Sequence, residues 1–179
     1  MSKIFYYDKI EGISISYDKL LNDLSHENTF SLYCKSDSYY LVFKHIIFSL
    51  ILGEELILLD NDFSNEEIDK LIGDDNSIFN SKPIKPIGQI SFDDIRKKIN
   101  LNRDNWRITL FTSGTTGMPK KISHTFDSLS RFVKQDEKRK GNLWGFAYNP
   151  THIAGLQVFF QAFLNKNTIV RLFGVDRIS

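Results

Sequence analysis

The chain has 179 residues, of which 41% are apolar, 13% aromatic and 25% charged, a composition that supports a packed core and excludes a disordered tail, a collagen-like fibre or a disulfide-stapled mini-protein. Lys and Arg number 23 against 22 Asp and Glu, so no bulk charge points to nucleic acid or to an anionic membrane, and any partner has to be argued from a site. Cys34 is the only cysteine, which excludes an intrachain disulfide and a thiolate cluster and fits a reducing cytoplasm.

The opening MSKIFYYDKIEG lacks the apolar stretch of a signal peptide. Ile13 to Ser16 alternates as a strand, and Tyr17, Leu20, Leu21 and Leu24 recur at helical spacing. Thr29 to Cys34 reads as a strand, followed by a helix from Tyr39 through Leu50 with Asp37 or Ser38 as cap and Gly53 as stop. The longest apolar run, Ile46 to Leu52, is far shorter than the about 20 residues a membrane span needs. Glu55 to Asp60 is a near-continuous apolar strand, the pattern of a parallel sheet covered on both faces.

Asn65 to Ile72 forms a short helix, and Asp74 to Gly88, rich in Asn and Ser and holding Pro83 and Pro86, is the best linker. Ser91 caps a helix to Asn100, Trp106 to Phe111 is a strand, and Lys121 to Thr125 is extended again. A helix over Phe126 to Val133 fades into the charged run Lys134 to Lys140. Leu143 to Tyr148 is a strand, Ile153 to Leu164 an apolar helix, and Thr168 to Phe173 a final strand. The pattern predicts an α/β fold with a largely parallel sheet flanked by helices. Its segments are 1–73, a linker region with a short helix at 74–105, and 106–179, which carries the chemistry.

That chemistry is concentrated in Thr112-Ser113-Gly114-Thr115-Thr116-Gly117-Met118-Pro119-Lys120. Its glycines permit φ > 0 and expose consecutive N–H donors, its hydroxyls add donors, and Lys120 supplies a point charge, so the segment is suited to cradle phosphate. Neither G-x-x-x-x-G-K-[ST] nor G-x-G-x-x-G can be read here, and the alternation after Pro119 leads into a strand, so a helix dipole contributes little.

TSGTTGMPK resembles the nucleotide-binding loop of the adenylate-forming superfamily, which includes acyl-CoA synthetases, luciferase-like enzymes and nonribosomal peptide synthetase adenylation domains. Lys121 replaces the glycine that usually follows the lysine. Weaker matches extend the resemblance. Ser16 to Leu21 looks like the early Y-x-x-L helix, and Leu50 to Gly53 with Leu56 to Asp60 looks like the helix, glycine and strand ending in Asp. Asn149 to Leu156 looks like P-x-x-H-x-x-G before the helix that lines the acyl pocket, and Asn167 to Leu172 like the strand after it.

The resemblance implies that Thr112, Ser113, Gly114, Thr115, Thr116, Gly117 and Lys120 hold the β- and γ-phosphates of ATP while a small organic acid attacks the α-phosphorus. It implies Mg2+ for the complete enzyme, with coenzyme A or a carrier-protein phosphopantetheine as the thiol acceptor. His152 would stand at the mouth of the acyl pocket, with Gly155 beside it. His124 is assigned a structural role, and His26 and His45 none. Tyr39, Tyr40, Phe43, Phe159, Phe160 and Phe163 read as core.

The family's Y-G-x-T-E segment, ribose-binding Asp and catalytic lysine find no counterpart in the 179 residues. The expectation is therefore an N-terminal portion of an acid ligase, inactive alone, with no catalytic residue and no metal ligand of its own and with apolar surface open to self-association. The alternative is a natural stand-alone module that binds phosphate, nucleotide or a protein without catalysis.

Overall fold

The computed structural model describes residues 2–72, 80–112 and 119–171. The predicted loop residues Ser113 to Met118, the linker residues Asp74 to Phe79 and the end of the last strand beyond Arg171 lie outside the described residues. Within them, the expected parallel α/β pattern is divided between two four-stranded sheets and a two-stranded pair.

The first sheet joins the two ends of the sequence. Strand β1 (Ile4–Asp8) runs antiparallel to β2 (Ile13–Ser16) and parallel to β10 (Thr168–Arg171), which runs parallel to β9 (Leu143–Phe146). Strand β1 falls in a stretch that the sequence reading left unassigned. Its burial leaves only Tyr7 exposed, so it lacks the alternation that marked β2.

The second sheet has the order β4 (Tyr33–Cys34), β5 (Leu56–Leu58), β7 (Arg107–Thr112) and β8 (Lys120–Thr125), parallel except for the final β7–β8 hairpin. Strand β3 (Thr29–Phe30) pairs with β6 (Lys82–Pro83) inside the expected linker; Pro83 is accommodated because this pair has no further neighbour to need its N–H.

Between the sheets lie α2 (Tyr39–Leu52) and α6 (Ile153–Leu164), apolar on almost every face as helices of a core interior must be. Phe43 stacks on Phe159 at 4.8 Å between ring centroids, and Phe159 on Phe163 at 5.5 Å. Helices α1 (Tyr17–His26) and α4 (Phe92–Asn102) close the same core, the latter with the expected Ser91–Asp94 capping box. The short α3 (Asn65–Ile72) covers the outer face of the second sheet through Ile68, against Ile57, Leu59 and Phe111.

Helix α2 ends at Gly53, whose φ of 72° is left-handed and beside which an added Cβ would stand 2.9 Å from Asn102 Cγ. Asn102 donates to the carbonyls of Leu50 and Ile51, supplying partners to groups the helix end leaves open.

Helix α5 spans only Phe126–Ser130, shorter than its apolar spacing predicts. The backbone N–H of Lys134 donates to Gln161 Oε1, and its carbonyl accepts from Gln161 and Asn165, so side chains of α6 and its C-cap hold it off the helical path.

Candidate functional site

Strand β7 is buried along its middle, and β8 forms the exposed edge. Their register sets Thr112 opposite Lys120 and Phe111 opposite Lys121. The predicted phosphate loop is thus a hairpin connection whose first and last candidate residues are held side by side at its neck. The strand after Pro119 is confirmed, beginning at Lys120.

Directly opposed residues of an antiparallel pair share a face, and successive residues alternate. Ile108 and Leu110 belong to the core between the sheets, whereas Phe111 belongs to the cluster under α3. Thr112 and Lys120 therefore look toward α6 and the first sheet, and Lys121 looks outward. Of the two adjacent lysines, Lys120 shares the inner side with Thr112.

Leu56 and Ile57 pair with Ile108 and Thr109, and this register continued beyond the ladder brings Asp60 level with Thr112. Leu58 faces the inner core and Leu59 the outer cluster, so Asp60 points inward as well. Asp60 Oδ2 accepts from Asn149 Nδ2 at 3.0 Å and Thr151 Oγ1 at 3.4 Å, and lies 3.2 Å from His152 Nε2. Asn149 Oδ1 accepts from both the N–H and the hydroxyl of Thr151, an Asx-type turn that folds the chain before α6. His152 holds the N-cap position of α6 but makes no capping bond; its ring turns to Asp60.

The resemblance set His152 at a pocket mouth; its exposed ring stands against Asp60, at the end of β5. Gly155 lies where α6 meets that turn. A Cβ there would stand 2.3 Å from the carbonyl oxygen of Asn149, so only glycine permits this approach. Its observed role is steric and holds the turn bearing His152.

A cleft of about 560 Å³ opens at the C-terminal ends of strands from both sheets, the position where open α/β sheets take ligands. Tyr39, Asp60, Phe146, Asn149, Thr151 and Arg171 border it. Arg171 donates from Nη1 to Asp8 Oδ2 at 3.0 Å, and its guanidinium lies 4.0 Å above the Tyr39 ring centroid. Asp8 also accepts from the Tyr6 hydroxyl and from the N–H groups of Ile10 and Glu11. Burial opposes ionisation of Asp8, but these donors together hold its carboxyl below the ordinary 3.8.

Of the aromatic residues read as core, Phe43, Phe159, Phe160 and Phe163 are buried there, whereas Tyr39 turns to the cleft. His124 is half-buried on β8, with its pKa lowered by burial. His45 Nε2 lies 2.8 Å from the Ser31 carbonyl, and burial lowers its pKa too. Cys34 is buried, and loss of solvent pushes its thiol up to about 12.

Among the described residues no group of three His, Cys, Asp or Glu side chains is placed to hold a metal ion, and no helix is long and apolar enough to cross a membrane. Asp60 and Arg171 were not singled out from the sequence as site residues, and Tyr39 was read as core. For Asp60 the signal was present, as the acidic end of an apolar strand; for Arg171 there was none, because its partner lies 163 residues away.

The fold of the described residues, two four-stranded sheets with apolar helices packed on them, is that of the N-terminal part of adenylate-forming enzymes. No protein-family model and no curated protein matches the sequence. Solved structures do. ATP-bound MatB from Rhodopseudomonas palustris matches with a TM-score of 0.57 and 16% identity over 98% of this chain and 44% of that one. The luciferase-like enzyme of the mealworm Zophobas morio gives 0.58 and 17% over 96% of this chain and 51% of its own. O-succinylbenzoate coenzyme A synthetase from Bacillus subtilis, in complex with ATP and magnesium ion, gives 0.56 and 14% over 99% and 56%. Such identities speak for the fold, and the chain spans about half the length of the structures it matches.

Proposed function

We propose that this chain supplies the phosphate-binding part of an ATP-dependent carboxylic acid ligase. The observation that supports this most is the hairpin neck, where Thr112 and Lys120 stand side by side on the strand face that Asp60 shares. In this reading the loop amides, the hydroxyls of Thr112, Ser113, Thr115 and Thr116, and Lys120 hold the β- and γ-phosphates. Gly114 and Gly117 let the backbone close on them.

A carboxylate oxygen attacks the α-phosphorus, the bond to the β-phosphate bridging oxygen breaks, and acyl-adenylate and pyrophosphate result. Negative charge develops on the leaving pyrophosphate, and donors fixed in advance around it lower the barrier. His152, with Nε2 toward Asp60, stands near the incoming carboxylate. Thioester formation with coenzyme A or a carrier-protein phosphopantetheine would follow. Magnesium reaches the reaction with ATP; the described residues offer it no ligand set, and no step is assigned to it.

In this reading the remaining contacts to the nucleotide come from outside the span matched here. The 179 residues alone are thus expected to bind ATP but to release no pyrophosphate. Self-association through the open edge of β9, where Leu143 is 72% exposed, is part of the same proposal. A strictly monomeric sample at high concentration would contradict that part.

The main test is acid-dependent ATP–pyrophosphate exchange by an enzyme that carries these residues. Lys120→Ala should slow it by about a hundredfold or more. An unchanged rate would overturn the assignment. ATP or pyrophosphate binding that no acid ever turns into exchange would favour a stand-alone binding module.

A further inference from the structure

Arg171 lines the cleft with a side chain only 15% exposed, an unusual place for a guanidinium unless its donors are used. Its close acceptor among the described residues, Asp8 Oδ2, is shared with the Tyr6 hydroxyl, and Asp8 Oδ1 is taken by two backbone amides. Glu11 contributes at 3.8 Å, from a largely exposed side chain. The Nε–H of Arg171 is buried with no acceptor among the described residues. Tyr39 fixes the plane of the group by stacking. Arg171 is therefore oriented, buried beside open volume, and short of acceptors.

The other charges at the cleft are carboxylates. Asp37 and Asp62 are exposed at its rim, where water and salt screen them, and Asp60 is occupied by the Asn149–His152 turn. A ligand tail that passes the two exposed carboxylates can reach the largely buried arginine. Plain alkyl chains would leave the Nε–H without an acceptor, at the cost of a buried unpaired donor.

We propose that Arg171 is a specificity-determining residue that receives an anionic oxygen group, a second carboxylate, at the end of the acid remote from its reacting carboxylate. The acid class is then dicarboxylic or otherwise anionic-tailed. This rests on the ligase reading of the cleft, but its test does not need turnover.

The test uses the full 179-residue chain, titrated at constant ionic strength with glutarate, with the length-matched monocarboxylate valerate, and with inorganic phosphate. The readouts are calorimetry and the Arg171 Nε–H resonance. Glutarate should bind at least about tenfold tighter than valerate, the margin of one charge-assisted bond, and should shift that resonance downfield.

Arg171→Lys keeps the charge but loses the planar fork, so the ratio should fall toward one. Equal affinities, an unmoved resonance, or a preference that survives in Arg171→Lys would each overturn the proposal. So would phosphate that binds as well as glutarate, since it would mark a general anion site. If Arg171→Lys does not fold, the wild-type resonance still decides. ATP binding measured on the same samples separates the two readings: its absence beside an intact glutarate preference would remove the ligase assignment and leave the Arg171 site standing.

Discussion

Replacing Gly155 by alanine probes the joint that holds the histidine-bearing turn. The new Cβ would stand 2.3 Å from the carbonyl oxygen of Asn149, against the 3.0 Å below which such contacts essentially do not occur, so one backbone must retreat by about 0.7 Å. The carbonyl oxygen is backbone and the Cβ position is fixed by backbone geometry, so no side-chain rotation relieves the clash. Overpacking of this severity costs about 3 kcal/mol. Alanine returns about 1 kcal/mol through its helix propensity, which leaves a net loss of about 2 kcal/mol.

For a chain of this size that loss lowers the melting temperature by about 4–8 °C. The retreat also moves the turn away from Asp60. Its bonds from Asn149 at 3.0 Å and His152 at 3.2 Å would lengthen beyond hydrogen-bonding range. Thermal unfolding by circular dichroism and the imidazole nitrogen spectrum of His152 read the two consequences separately. A Gly155→Ala chain as stable as the parent, with an unchanged His152 spectrum, would refute the steric argument.

Asp60→Ala removes the acceptor shared by Asn149, Thr151 and His152, and should cost about 1–3 kcal/mol in urea unfolding, with line broadening over 149–152; a change below a few tenths of a kcal/mol would contradict the network. Cys34 should resist a thiol reagent at pH 8 in the native chain and react fully once unfolded, since its thiol is buried and pushed up to about 12; rapid labelling of folded protein would count against that burial.

Asp8 titrates below its ordinary 3.8 in the fold, so its contribution is present above the unfolded value and is lost as pH falls through and below it. The urea midpoint should therefore drop below about pH 4. Asp8→Asn should cost about 3 kcal/mol at pH 7, where Arg171 is left unpaired, and progressively less as pH falls below the unfolded carboxylate value; a cost that does not fall with pH as far as the fold survives would refute the buried pair.

The parts legible in the sequence were those set by local pattern. Ser91 with Asp94, Gly53 after an apolar helix, and the extended segments either side of TSGTTGMPK all fold as their chemistry dictates. The parts not legible depend on distant pairing. β1 became a sheet strand because β10 accepts it, and nothing in IFYYD alternates enough to mark it. One expected sheet became two because α2 and α6 are apolar on nearly all faces and need a layer on each side.

In the site, Thr112 and Lys120 were readable as chemistry, but their common face required the register. Gly155 was read as a pocket residue, and its contact to Asn149 is invisible without coordinates. Arg171 gave no signal, because a buried cation is identified by Asp8 and Tyr39 around it and not by its neighbours in the chain.

The measurement closest to the central claim is a calorimetric titration of pyrophosphate into the 179-residue chain, repeated with Lys120→Ala after its fold is verified. The account predicts saturable one-to-one binding that weakens with salt and is at least about tenfold weaker in the variant, the loss of one charge-assisted contact. No binding by the parent chain, or equal binding by both, would contradict it.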